Sequence, residues 1–288
     1  MKTNFNLTIL ANIIFLSSQF VFAQKTIDTY KVESEGYFTH PVNTTAGVVA
    51  TDNFASKIYL IQNFKLKELI SSPGCGRYFT VSPDKSKIGF KQITPDGMQV
   101  PAVFDLQTMK ITKLSNPVNL CGQVSFSNNG KIAFTVGNEL FIKDGVNFTS
   151  FNLGTYSNIA PISPDGNFVI FNNNSDQLFI ICLTSGQVKQ ITDNTGGYCY
   201  PEWSPDGNKI VFSTLSGILM VLDKTTNITY TVGKGENASW SDDSQFIFYN
   251  VVSNENLEYK GSEIYVSKYD GSAIKQLTNT SDINEMFP

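Results

Sequence analysis

The sequence predicts an all-β fold, a six-bladed β-propeller of four-stranded antiparallel blades. Three observations carry this expectation. A turn segment recurs along the chain, as "VSPDKSKIGF" from 81, "FSNNGKIAF" from 126, "ISPDGNFVIF" from 162, "WSPDGNKIVF" from 203 and "WSDDSQFIFY" from 240. Its serines, Ser82, Ser127, Ser163, Ser204 and Ser241, follow one another at spacings of 45, 36, 41 and 37 residues, the period of a four-stranded blade. Apolar residues recur at spacing two over short runs, and turn signals interrupt the chain too often for helices.

Each unit justifies its strands in the same order. An apolar pair follows the turn at alternate positions: Ile88 and Phe90, Ile132 and Phe134, Val169 and Phe171, Ile210 and Phe212, Ile247 and Tyr249. A second apolar run comes next, as in "KIYLIQ", "ELFIKD" or "ILMVLD". A polar turn then leads to a last alternating strand such as "KLKELI", "QVKQIT" or "IKQLTN". The first unit is degenerate, with "HPVNTTAGVVATD" from His40 in place of the turn segment, and six units account for 40–279. A lone four-stranded blade cannot cover its apolar faces, so blades must stack around an axis and close. Pro fixes φ, Asp caps local amides and Gly accepts positive φ, so Asp206 in its Ser-Pro-Asp-Gly turn is read as architecture.

Residues 1–23 are read as an export signal. Lys2 gives a positive start, 7–22 is largely apolar, and Val21-Phe22-Ala23 places small residues at the −3 and −1 positions of a cleavage site. Asn12, Ser17, Ser18 and Gln19 argue against a membrane anchor. The mature chain is expected outside the cytoplasm, periplasmic or secreted, with residues 24–39 as a lead-in and no membrane span after cleavage. A monomer is expected. The net charge of −4 and a charged fraction of 16% give no basic footprint for nucleic acid.

The repeat resembles the TolB-type, WD-repeat-like β-propeller family of bacterial envelope proteins. The residues that carry the resemblance are Pro-x-Trp-Ser-Pro-Asp-Gly-x-x-Ile-x-Phe, here Pro201 to Phe212, the apolar strand after it, and the endings "QIT" (Gln190 to Thr192) and "QLT" (Gln276 to Thr278). It covers nearly the whole mature chain and is specific for the repeat, not for function, because similar blades serve envelope proteins, peptidase accessory domains and some lyases. It implies an exported, non-enzymatic scaffold for a protein or peptide partner. The alternative it implies is the propeller part of a larger secreted enzyme, such as a prolyl-oligopeptidase-like peptidase. Two departures stand out. TolB carries a separate α/β domain before its propeller, whereas only residues 24–39 lie here between the cleavage site and His40. The last residues, "TSDINEMFP", compare with "DNTGGYCYP" from 193 and read as a closing segment or as the start of a further blade over 280–288.

Chemistry-bearing residues are sparse. His40 is the only histidine, which is thin for a nucleophile–base pair and counts strongly against the metal-using lyase-type propellers. No metal site, cofactor fingerprint or serine-hydrolase elbow is expected, and no catalytic residue is assigned. The candidate partner-binding residues are Arg77, Tyr78, Tyr156, Tyr198 and Tyr200, in the connections that lead into each innermost strand and gather at the channel mouth. Tyr and Arg suit protein contacts. The alternative is that the tyrosines wedge between blades and Arg77 pairs with a neighbour. Cys75 and Cys121 occupy similar places in adjacent units, so a disulfide between them is geometrically possible, with Cys199 competing. Cys182, in "LFIICL", is read as a buried free thiol. The polar insertion 250–263 is expected to project to the edge opposite the mouth.

Overall fold

The computed structural model describes residues 5–8, 29–32, 38–63, 65–255, 258–279 and 286–288. A two-stranded pair comes first, β1 (Phe5–Thr8) with β2 (Thr29–Val32). β1 falls within the segment read as an export signal, most of which lies outside the described residues.

Six antiparallel sheets follow, each ordered from inner to outer strand. Blade 1 is β3 (Phe38–Thr44), β4 (Gly47–Asp52), β5 (Lys57–Gln62) and β6 (Lys65–Ser71). Blade 2 is β7 (Thr80–Val81), β8 (Lys87–Ile93), β9 (Gln99–Asp105) and β10 (Lys110–Lys113). Blade 3 is β11 (Ser125–Phe126), β12 (Ile132–Val136), β13 (Glu139–Asp144) and β14 (Asn147–Asn152). Blade 4 has β15 (Phe168–Asn172), β16 (Leu178–Cys182) and β17 (Val188–Gln190), its inner strand reduced to a single Ile162–Val169 bridge. Blade 5 is β18 (Tyr198–Trp203), β19 (Lys209–Thr214), β20 (Ile218–Asp223) and β21 (Ile228–Lys234). Blade 6 is β22 (Glu236–Trp240), β23 (Phe246–Glu255), β24 (Glu258–Lys268) and β25 (Lys275–Gln276). The chain is an all-β, six-bladed propeller, as the repeat predicts.

The alternating pair in each second strand explains the stacking. Ile88 and Phe90 pack with Val49 and Ile58 of blade 1, and Val169 and Phe171 with Ala133 and Leu140 of blade 3. Ile210 and Phe212 pack with Ile170 and Leu178 of blade 4, and Ile247 and Tyr249 with Val211 and Leu219 of blade 5. The pair thus faces the preceding blade, while the residue between its members faces the next one. That residue must be small in blade 2: a Cβ on Gly89 would lie 2.8 Å from Val124.

The repeat serine is buried in all five turns and holds each of them together. Ser82, Ser163, Ser204 and Ser241 accept the amide five residues on, at 2.9 Å in each case. Ser127, in a shorter turn, accepts the Lys131 amide at 3.0 Å. Each serine hydroxyl donates to the side chain two residues on, which is Asp84, Asn129, Asp165, Asp206 or Asp243. The turn ends in the left-handed region at Gly130, Gly166 and Gly207, and at Lys85 and Ser244 where glycine is absent.

One expectation is corrected. The insertion at 250–263 extends β23 and β24 into a long hairpin, with pairing from Phe246–Lys268 out to Glu255–Glu258. Strands two and four of an antiparallel blade end at the same edge, so the turn after strand two lies beside the connection after strand four. Backbone bonds join these segments: Gly76 N to Ala55 O at 3.0 Å, Tyr198 N to Asp176 O at 2.7 Å and Gly235 N to Gly217 O at 3.0 Å. The hairpin therefore stands on the mouth side.

Candidate functional site

A residue four places ahead of the repeat serine stands at or near the entry to the inner strand. In blades 2, 5 and 6 this residue is Tyr78, Tyr200 or Asn237, with φ of 62°, 52° and 51°. Blade 1 matches it with His40 at 53°, four places ahead of Thr44, whose hydroxyl accepts the Ala46 amide inside the turn. A bulge accompanies it in blades 1, 5 and 6. A left-handed residue that is not glycine costs about 1–3 kcal/mol and turns its side chain out of the pleat. Tyr200 is 60% exposed although Tyr198, Pro201 and Trp203 around it are buried.

Four of the five predicted residues come together at this mouth. Tyr156, from the blade 3–4 connection, bonds with Cys121 O and Asn158 Oδ1, both at 3.0 Å. Lys91 Nζ, from β8, donates to the same two atoms, at 3.1 and 2.7 Å, and sits 5.9 Å from the centre of the Tyr78 ring. Arg77 is exposed beside them and near enough to lower the Lys91 ammonium, which burial lowers most. Burial pushes the Tyr156 hydroxyl up to about 12, with Cys121 and Tyr78 adding to it. Tyr200 is raised by burial, then by Tyr78 and Cys199, with Arg77 opposing. Blades 2 and 5 face each other across a six-membered ring, and Tyr78 and Arg77 are near enough to act electrostatically on Tyr200.

Tyr198 does not join them. It is 6% exposed, donates to Asp193 Oδ1 at 2.6 Å and meets Phe212 edge to face, 5.6 Å between ring centres. Here the wedge alternative holds. Arg77 forms no ion pair among the described residues. The Cys75–Cys121 bridge is not formed: all four cysteines are free, and burial pushes the thiols of Cys75 and Cys121 up to about 11. Cys182 is half-buried rather than buried, since its neighbours Ile180 and Ile181 take the core positions.

Sequence reasoning missed Lys91, Asn158 and Glu202. Lys91 alternates with Phe90 and Gln92 in β8 and reads as an ordinary outward strand lysine. Glu202 is the unspecified residue of the Pro-x-Trp motif. Its side chain is exposed at the surface, yet neighbouring protein desolvates the carboxyl and pushes it up to about 7. An open cleft of about 280 Å³, lined by Thr155, Phe171, Asn173, Asn174 and Phe179, adjoins Tyr156 along the chain. Among the described residues, no cluster of three His, Cys, Asp or Glu is placed to hold a metal ion, and no helix is long and apolar enough to cross a membrane.

No family model and no curated protein matches the sequence. Solved structures do match. TolB from Acinetobacter baumannii is 20% identical over 82% of this chain and 62% of its own length, with a TM-score of 0.57. A protein described as TolB from Agrobacterium tumefaciens is 16% identical over 86% of this chain and 83% of its own, at 0.52. An oligogalacturonate lyase in complex with manganese is 12% identical over 83% of this chain and 79% of its own, at 0.61. At such identities the likeness speaks to the fold alone: the chain is a six-bladed β-propeller, similar in fold to these three structures.

Proposed function

We propose that this chain is an exported, non-enzymatic scaffold that binds a protein or peptide partner at its channel mouth. The observation that carries the reading is Tyr200, an exposed aromatic held at a costly φ and gathered with Tyr78, Tyr156 and Arg77 from other blades. Rigid amphipathic rings around a cation form the composition of interface hot spots. Export, periplasmic or secreted, is supported by the N-terminal charge, apolar run and cleavage pattern. Intact mass of the exported protein tests it, with Gln24 as the expected first residue. The same mass tests the alternative of a larger secreted enzyme, which requires a much heavier species.

Two variants separate binding from packing. Tyr200→Ala should weaken partner capture at least tenfold while leaving Tm nearly unchanged, because the side chain is exposed. Tyr198→Ala should instead cost about 3–5 kcal/mol of stability, as for other buried aromatics. Undiminished capture by Tyr200→Ala and Arg77→Ala would sink the mouth as the binding face.

A further inference from the structure

The mouth holds an electrostatic arrangement that its own residues do not balance. Lys91 is partly buried, and the titratable groups near enough to act on it are the Cys121 thiol and Arg77, with no carboxylate among them. Neither Lys91 nor Arg77 has an ion-pair partner among the described residues. Two cations are thus held close together, one of them desolvated, where an acidic neighbour would ordinarily stand. The Lys91 ammonium has three protons and finds two protein acceptors, Cys121 O and Asn158 Oδ1, which leaves one donor free. Arg77, exposed beside it, offers a fork suited to a carboxylate. Tyr78 and Tyr156 form the wall, and the Tyr156 hydroxyl is tied to the same two acceptors.

We propose that Lys91 and Arg77 together form a carboxylate-binding subsite, which anchors the C-terminus or an acidic side chain of the peptide partner. The inference rests on the reading of the mouth as a peptide site and names the chemistry the partner must present. A carboxylate there supplies the missing countercharge and takes the free Lys91 donor. The tyrosines flank the remainder of the peptide.

Two measurements on the full chain test it. The first uses acetate alone as the probe and follows the Lys91 side chain by carbon NMR, its signal assigned by its loss in Lys91→Met. Acetate should raise the Lys91 titration midpoint above that in chloride at equal ionic strength, and Arg77→Gln should reduce the shift. Equal midpoints in the two salts overturn the subsite. The second passes random heptapeptides, with free or amidated C-termini, over immobilised protein. Retained peptides should be enriched in carboxylates, and Lys91→Met should weaken them at least tenfold while Lys91→Arg retains most of the binding. Loss on amidation assigns the anchor to the C-terminus, and persistence assigns it to Asp or Glu. Retention of neutral peptides without enrichment overturns the anchor and leaves the mouth reading standing. An acetate response with no peptide retained leaves the subsite standing and rejects the peptide reading. If Lys91→Met does not fold, Arg77→Gln serves, since its side chain is exposed.

Discussion

Glu202 shows what one residue of an inner strand can contribute. Its carboxyl sits near 7 rather than at its ordinary 4.5 because desolvation disfavours the charged form. No side chain among the described residues is bonded to it. A raised folded value means that the folded state holds its proton more tightly than the unfolded chain. The stability this contributes is fully present below about 4.5 and is lost as pH rises through about 7. Glu202→Gln should remove that loss, so denaturation midpoints of variant and wild type should diverge between pH 5 and pH 8, the variant being the more stable at the upper end. Parallel pH profiles would show that water solvates the carboxylate fully. The sequence marks position 202 only as the unspecified residue of one motif, because desolvation depends on tertiary packing and leaves no local trace. Lys91 escapes for the same reason: its acceptors lie 30 and 67 residues further along the chain. The tyrosines were legible by type and by connection, but separating Tyr200 from Tyr198 needed the bulge between Cys199 and Glu202.

At the scale of the element, the turn-and-strand unit was legible almost completely, since its determinants lie within ten residues. Its chemistry centres on the serine rather than on the Pro-Asp-Gly that draws the eye. Ser204 is wholly buried, accepts the Lys209 amide and donates to Asp206, while the Asp206 amide donates to the Ser244 hydroxyl of the next blade. Burial works against the Asp206 carboxylate, but Ser204, the Asn208 amide and Lys209 together outweigh it and hold its pKa below the ordinary value. Ser204→Ala should therefore cost about 1–3 kcal/mol, by leaving a buried amide without its acceptor. Asp206→Asn should cost less, because Asn129 already fills this place in blade 3 and accepts from Ser127 in the same way. Chemical denaturation of the two variants gives the comparison, and an equal or larger loss for Asp206→Asn would move the centre of the turn to the carboxylate. The mouth-side position of the 250–263 hairpin was also available in principle, because strand direction alone fixes it. In a four-stranded antiparallel blade, strand two ends on the same edge as strand four, where the connection to the next blade begins.

Across the whole molecule, five of the interfaces between neighbouring blades are sealed by apolar clusters drawn from both sides. Among the described residues no such cluster joins blades 6 and 1, and the remaining cluster belongs to blade 1 alone, with Ala50, Ile61 and Phe38. Among the described residues, Phe287 and Pro288 touch both of these blades. Ser239 of blade 6 donates to Pro288 O at 2.7 Å, and the Phe287 ring lies 3.9 Å from His40 of blade 1. The first contact repeats a device used elsewhere in the ring, where Thr80 donates to Val124 O and Ser125 to Ala160 O of the following unit. Phe287, ahead of Pro288, also takes a positive φ, 58°, like Tyr200 ahead of Pro201 at 52° and His40 ahead of Pro41 at 53°. The preceding residues 280–285 lie outside the described residues. A propeller is only as stable as its weakest interface, because opening one seam frees two blade faces at once. Phe287→Ala and Ser239→Ala should each lower Tm and should act locally. Amide exchange should quicken in β3, β4, β22 and β23, while blades 3 and 4 keep their protection. Because the two contacts close one seam, the double variant should lose less than the sum of the singles. Uniformly faster exchange around the ring, or full additivity with no regional pattern, would show that blades 6 and 1 are held together elsewhere and that Met286 to Pro288 merely rest against them.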